Sequence, residues 1–116
     1  MPRRHWKLRI RHILDAIAKI RVYIAGMSLE TFSANDLVVD AVLLRNFMVI
    51  GEATRHIPIH VTTAYPQIPW RLMQGMRNVV VHDYPNVSLQ VVWETIQNDL
   101  PPLLGPLRHL LKEAEE

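Results

Sequence analysis

An all-α fold, an up-and-down bundle of about four to six helices filling residues 1–116 as a single domain, is predicted by three observations. Apolar residues recur at helical spacing along segment after segment. Prolines and glycines fall mostly between those segments. No stretch alternates apolar and polar residues as a half-buried strand does.

The elements follow in order. Ile10, Ile13, Leu14, Ile17 and Ile24 trace a stripe on a first helix, Asp15 and Lys19 pair at i,i+4 on its polar side, and Gly26 ends it. Ser28 reads as an N-cap for a short turn over residues 29–33. Asn35 or Asp36 opens the longest pattern, which runs to about His56 with Leu37, Ala41, Leu44, Met48 and Ala53 near one face. Gly51 inside that helix costs about 1 kcal/mol relative to alanine, which suggests that another helix or a ligand comes close there. Pro58 ends the pattern or starts the short "IHVTTAY", and "YPQIPW" is a turn. Pro69 suits the first position of the next helix. That helix ends near Asp83, because Pro85 disfavours helical geometry at Tyr84. Ser88 caps a further helix with Val91, Val92, Ile96 and Leu100 inward. Pro101 and Pro102 interrupt it, and Asp99 caps a kinked or broken last helix.

Bulk composition narrows the function classes. The chain is 49% hydrophobic and 21% charged, as an ordinary globular domain is. It has no cysteine, which excludes thiolate catalysis, disulfides and cysteine-based zinc sites. No apolar run is long enough to span a bilayer, and the basic start "MPRRHWKLRIRH" lacks the apolar core of a signal peptide. A cytoplasmic protein without membrane contact is expected. Five of the 13 Lys/Arg stand in that start without an acid, leaving eight against 11 acidic residues elsewhere. The start could therefore touch phosphate, or could be a solvated helix end.

The chemistry concentrates in "RNVVVHDYP", residues 77–85. Asn78 and His82, four apart, share a helix face, and Arg77 lies about 140° from His82 with a side chain long enough to reach the same cleft. His82 falls in the last turn, where the helix dipole favours a protonated ring, and Tyr84 follows the helix end. An arginine can hold a phosphate through its planar fork. A histidine can take a proton from a ribose 2′-hydroxyl or give one to a leaving 5′-oxygen. Together they suit RNA cleavage by internal attack without a metal or another cofactor. The reaction needs a base and an acid at once, and the motif supplies one histidine; a two-fold dimer would supply two. On residue types alone, a structural Arg and His remain the alternative.

Three segments carry a resemblance: "RHILDAIAKIRVYIAG", "DAVLLRNFMVIGEATRHIP" and "YPQIPWRLMQGMRNVVVHDYPNVSLQVVWETIQNDLP". In order and over roughly residues 8–101 they resemble the HepT-like family of the HEPN superfamily. Its motif, Arg, four residues, His, one residue, Tyr, is met by Arg77, His82 and Tyr84, with Asn78 after the arginine. The resemblance implies a HEPN-like homodimer, the toxin of a toxin–antitoxin pair, that cleaves RNA (tRNA or mRNA) with Arg77 and His82 in a cleft between protomers. It also implies a nucleotidyltransferase antitoxin of the MntA type that transfers AMP onto Tyr84 and assembles with the toxin into a larger hetero-oligomer. Asn78, together with Asn46 and Glu52 on the second long helix, would support the site. The alternative is a non-catalytic helical module that docks a nucleotidyltransferase or a nucleotide. "LPPLLGPLRHLL" departs from the family pattern in its prolines, which bears on the last helix and not on the site.

Overall fold

A computed structural model of the chain describes residues 5–115, with side chains to residue 113. Arg3 and Arg4 of the basic start, and Glu115 and Glu116 at the acidic end, fall outside those limits or lack described side chains. The described residues are all helical or loop: α1 (His5–Ile24), α2 (Leu29–Ser33), α3 (Asp36–Asp40), α4 (Met48–Arg55), α5 (Ile59–Ala64), α6 (Trp70–Asp83), α7 (Leu89–Glu94) and α8 (Pro101–Glu115). Two π-helical segments, Ala41–Phe47 and Thr95–Asp99, join α3 to α4 and α7 to α8. The described residues therefore form four long rods, residues 5–24, 36–55, 70–83 and 89–115, and two short helices between them. No described helix is long and apolar enough to cross a membrane.

The caps lie where the side chains demand. Ser28 and Thr31 form a reciprocal capping box, Asn35 accepts from the Val38 amide at 3.1 Å, and Ser88 accepts from the Val91 amide at 3.3 Å. Ile10, Ile13, Ile17 and Ile20 bury the inner face of α1 against α4 and α8. Met73, Met76 and Val80 turn α6 onto α4, and Phe32 stacks at a tilt on Trp93 with ring centroids 5.3 Å apart.

Three expectations need correction. The Leu37–Ala41–Leu44–Met48–Ala53 face is fully buried only at Ala53: Leu37 is 84% and Leu44 46% exposed, whereas Val39, Val42, Leu43, Phe47 and Ile50 form the core face. This rod is apolar on two sides, and only packing against α1 and α6 chooses between them. Val91 is exposed, while Val92, Ile96 and Leu100 point inward. Finally, the helical run is interrupted ahead of the prolines as expected, with a bend at Leu100 and α8 starting on Pro101, but Asp99 does not cap the restart. The Leu100 amide reaches the Thr95 carbonyl, five residues back, at 3.2 Å. The prolines then occupy the first turn of α8, where an N–H has no helical partner to lose.

Candidate active site

Gly51 sets the spacing on which the site is built. A Cβ on it would strike Arg77 Cβ and lie 2.7 Å from the Arg77 nitrogen and 3.0 Å from its Cα. The close approach expected from a mid-helix glycine is therefore an approach of α6, and of Arg77 in particular. One residue on, Glu52 turns outward and accepts from Arg77 Nε at 3.0 Å. The same carboxylate has Arg55 Nη1 at 3.6 Å and His56 Nε2 at 4.0 Å, so it is the hub of three basic groups. Arg77 is 28% exposed at its side chain and has no further hydrogen bond or ion pair among the described residues. Glu52 thus holds the guanidinium by its Nε edge and leaves the terminal nitrogens directed elsewhere. For an anion, this is a positioned fork.

His82 and Asn78 are exposed on α6, His82 in its final turn. Neither makes a side-chain hydrogen bond within the described chain, so both are open to a ligand. Tyr84 behaves differently from a residue that simply projects outward. Its backbone is extended before Pro85, as a residue preceding proline prefers, and its hydroxyl donates to Asp40 Oδ1 at 2.8 Å. The bond to the carboxylate, then partial desolvation, then the charges of Asp40 and Asp36 push the phenol above its ordinary 10.0. Below that range the bond favours the folded state; its contribution is lost as pH rises through the raised folded value. Asp40→Asn is expected to move the Tyr84 titration back toward 10, read by carbon NMR of labelled tyrosine. An unmoved midpoint would mean that the contact is not made in solution.

Asn46 stands apart from these groups. It is 2% exposed, and its Nδ2 donates to the Ala41 carbonyl at 2.9 Å inside the π-helical segment. It faces α1 and lines a cavity there with His12, Lys19 and Arg45. The structure thus brings Arg77 to Glu52 and Tyr84 to α3, leaves Asn78 and His82 open on α6, and places Asn46 on the α1 side. Asp40 was not legible as a site residue, being 44 positions from Tyr84 with no spacing to link them.

The family model described as "Ribonuclease HepT-like" matches residues 13–110. A Thermococcus cleftensis protein named as a probable ribonuclease HepT is 35% identical over 112 residues, spanning 97% of this chain and all of that protein. A Methanocaldococcus jannaschii protein with a provisional RNase name is 34% identical over 116 residues, covering 100% of this chain and 99% of its own length. Another from that organism, named as a gamma-glutamylcyclotransferase and provisional RNase, is 29% identical over 114 residues; this chain spans 51% of it. No solved structure matches.

Proposed function

The chain belongs to the HepT-like ribonuclease family, and on that premise we propose that it is a metal-independent endoribonuclease, the toxin of a cytoplasmic toxin–antitoxin pair, cutting with Arg77 and His82. The observation that carries the reading is the arginine held by Glu52 at 3.0 Å through Nε alone. Its terminal nitrogens take two non-bridging oxygens of an RNA phosphate and hold them more strongly as charge grows toward the transition state. His82 accepts the 2′-hydroxyl proton as that oxygen attacks phosphorus. The bond from phosphorus to the 5′-oxygen breaks, and the leaving oxygen takes a proton from a second histidinium. The products are a 2′,3′-cyclic phosphate and a 5′-hydroxyl.

The second histidine is His82 of another copy in a two-fold homodimer. Leu37 and Leu44 flank Asp40 by three and four residues, and both are exposed, as is Val81 beside His82. Such an apolar border around open polar groups is what an interface covers. Asn78 then lies in the cleft beside the scissile phosphate, and Asn46 supports the helix that carries Glu52.

Silencing works through Tyr84. The phenol oxygen attacks the α-phosphorus of ATP held by the nucleotidyltransferase antitoxin, pyrophosphate leaves, and the phenolic proton passes to Asp40. The bound AMP brings a negative phosphate to the end of α6, where it competes with RNA for Arg77. Intact mass spectrometry after incubation with ATP and the antitoxin is expected to show gain in whole AMP units in the wild type and none in Tyr84→Phe. Cleavage of total RNA should be lost only in the modified protein. No mass gain, with RNA left intact by the unmodified chain, would return the protein to a docking module.

A further inference from the structure

Between α1 and the rod 36–55 lies a cavity of about 290 Å³ bounded by His12, Asp15, Lys19, Arg45, Asn46 and Val49. It is at the small end of ligand-sized pockets. Its charges do not balance: Lys19 and Arg45 face one carboxylate, Asp15, which sits 4.0 Å from the Lys19 ammonium. Arg45 is exposed and has no ion pair among the described residues. One anionic group would complete this set.

The floor of the cavity is more specific than its rim. Asn46 is almost wholly buried, and its orientation is fixed because Nδ2 must be the atom that donates to the Ala41 carbonyl. One Nδ2 hydrogen and the whole of Oδ1 remain, and Oδ1 accepts no hydrogen bond among the described residues. Among the described residues the one buried side-chain polar atom without a partner is Arg9 Nε, so Asn46 Oδ1 is open to solvent, where water or a ligand donor can answer it. A free phosphate cannot answer it, since at neutral pH it offers mainly acceptors. A nucleobase edge with adjacent donor and acceptor can, adenine being the usual partner of an asparagine fork. Val49 and the His12 ring bound the space on which such a base would stack.

We propose that this cavity is a subsite for one unstacked nucleotide of single-stranded RNA, with the base on Asn46 and a phosphate on Arg45 and Lys19. The part played by RNA rests on the ribonuclease reading above; the nucleotide site itself does not. Arg45, Val49 and Glu52 stand at i, i+4 and i+7, so they form one ridge of the rod. At 1.5 Å per residue, that ridge leads from the cavity to Arg77 over about 10 Å. A strand anchored at the cavity is delivered to the cutting site along it. Asn46 is in this account a specificity residue, which explains why it faces α1 and not Arg77.

The test titrates the full-length chain with AMP and, separately, with ribose 5-phosphate, following backbone amide resonances by NMR. Saturable shifts at His12, Lys19, Arg45 and Val49 are expected with AMP, and about tenfold weaker binding with ribose 5-phosphate. Arg45→Gln and Lys19→Gln change exposed side chains and leave the fold intact; each should weaken AMP at least tenfold and raise KM for RNA in step. Unmoved resonances at those positions, equal binding of ribose 5-phosphate, or AMP affinity unchanged in Arg45→Gln would overturn the subsite. A wild type that takes AMP here yet cuts no RNA would overturn the ribonuclease reading and leave the nucleotide site standing. Cutting without any AMP shift would do the reverse.

Discussion

Gly51→Ala is expected to lower stability by about 2 kcal/mol and to abolish RNA cleavage together. The added methyl would meet the Cβ and backbone nitrogen of Arg77, neither of which can swing aside as a side-chain tip can. Helices α4 and α6, which share the most extensive helix–helix interface in the described chain, must part. Overpacking of this kind costs about 1–3 kcal/mol and sometimes more, and the gain of about 1 kcal/mol from better helix propensity offsets only part of it. For a domain of this size the melting temperature should fall by roughly 10 °C. Activity should fall further than stability accounts for, because the displaced residue is the one whose guanidinium Glu52 holds. Gly75→Ala is the control. Nothing stands within 4 Å of a Cβ at that helical position, and no proline follows it, so the same change there should raise stability by about 1 kcal/mol. If Gly51→Ala melts with or above the wild type, the helices are not in contact at residue 51 as described.

The contrast between those glycines shows which features are legible from sequence. Gly51 stands out in the chain because an interior glycine is costly, yet Gly75 and Gly105 carry the same signal and meet nothing within 4 Å. Sequence flags the cost, and only tertiary structure tells which glycine is there to let a neighbour in. The α1 stripe and the caps at Ser28, Asn35 and Ser88 were legible because each depends on contacts within a few residues. On the rod 36–55 apolar residues lie on two faces, and only its neighbours select the one that is buried. Neither π-helical segment was legible. Each shifts the hydrogen-bond partner by one residue, and no local residue preference marks such a shift. At the site, Arg77, His82 and Tyr84 were legible as one short motif. The Glu52 contact, 25 residues away, and the Asp40 contact, 44 away, were not legible as contacts, since no periodicity couples residues that far apart.

Arg77→Ala and His82→Ala should each reduce RNA cleavage by about 10²–10⁴-fold while leaving the fold in place. The Arg77–Glu52 pair is partly exposed, so its loss should cost at most about 1 kcal/mol of stability, and His82 has no partner in the described chain to lose. Circular dichroism melts close to wild type would therefore accompany the loss of cutting. Arg77→Lys should rescue little, because an ammonium cannot present two parallel donors to a phosphate. The double variant should be scarcely worse than either single one if both groups act in one step. Mixing His82→Ala with an equal amount of wild type, and letting subunits exchange, then separates the possible architectures. A cleft that needs His82 from both copies is dead in every mixed dimer, so activity should fall to about half that of the same wild type alone. A site contained within one copy leaves the activity of the wild-type chains unchanged. If activity is unchanged while both proteins are folded and exchange subunits, the second proton donor comes from the same chain, and the shared-cleft dimer is wrong. If His82→Ala alone cuts at the wild-type rate, His82 is not the base, and Arg77 would be a phosphate anchor in a site whose acid and base lie elsewhere.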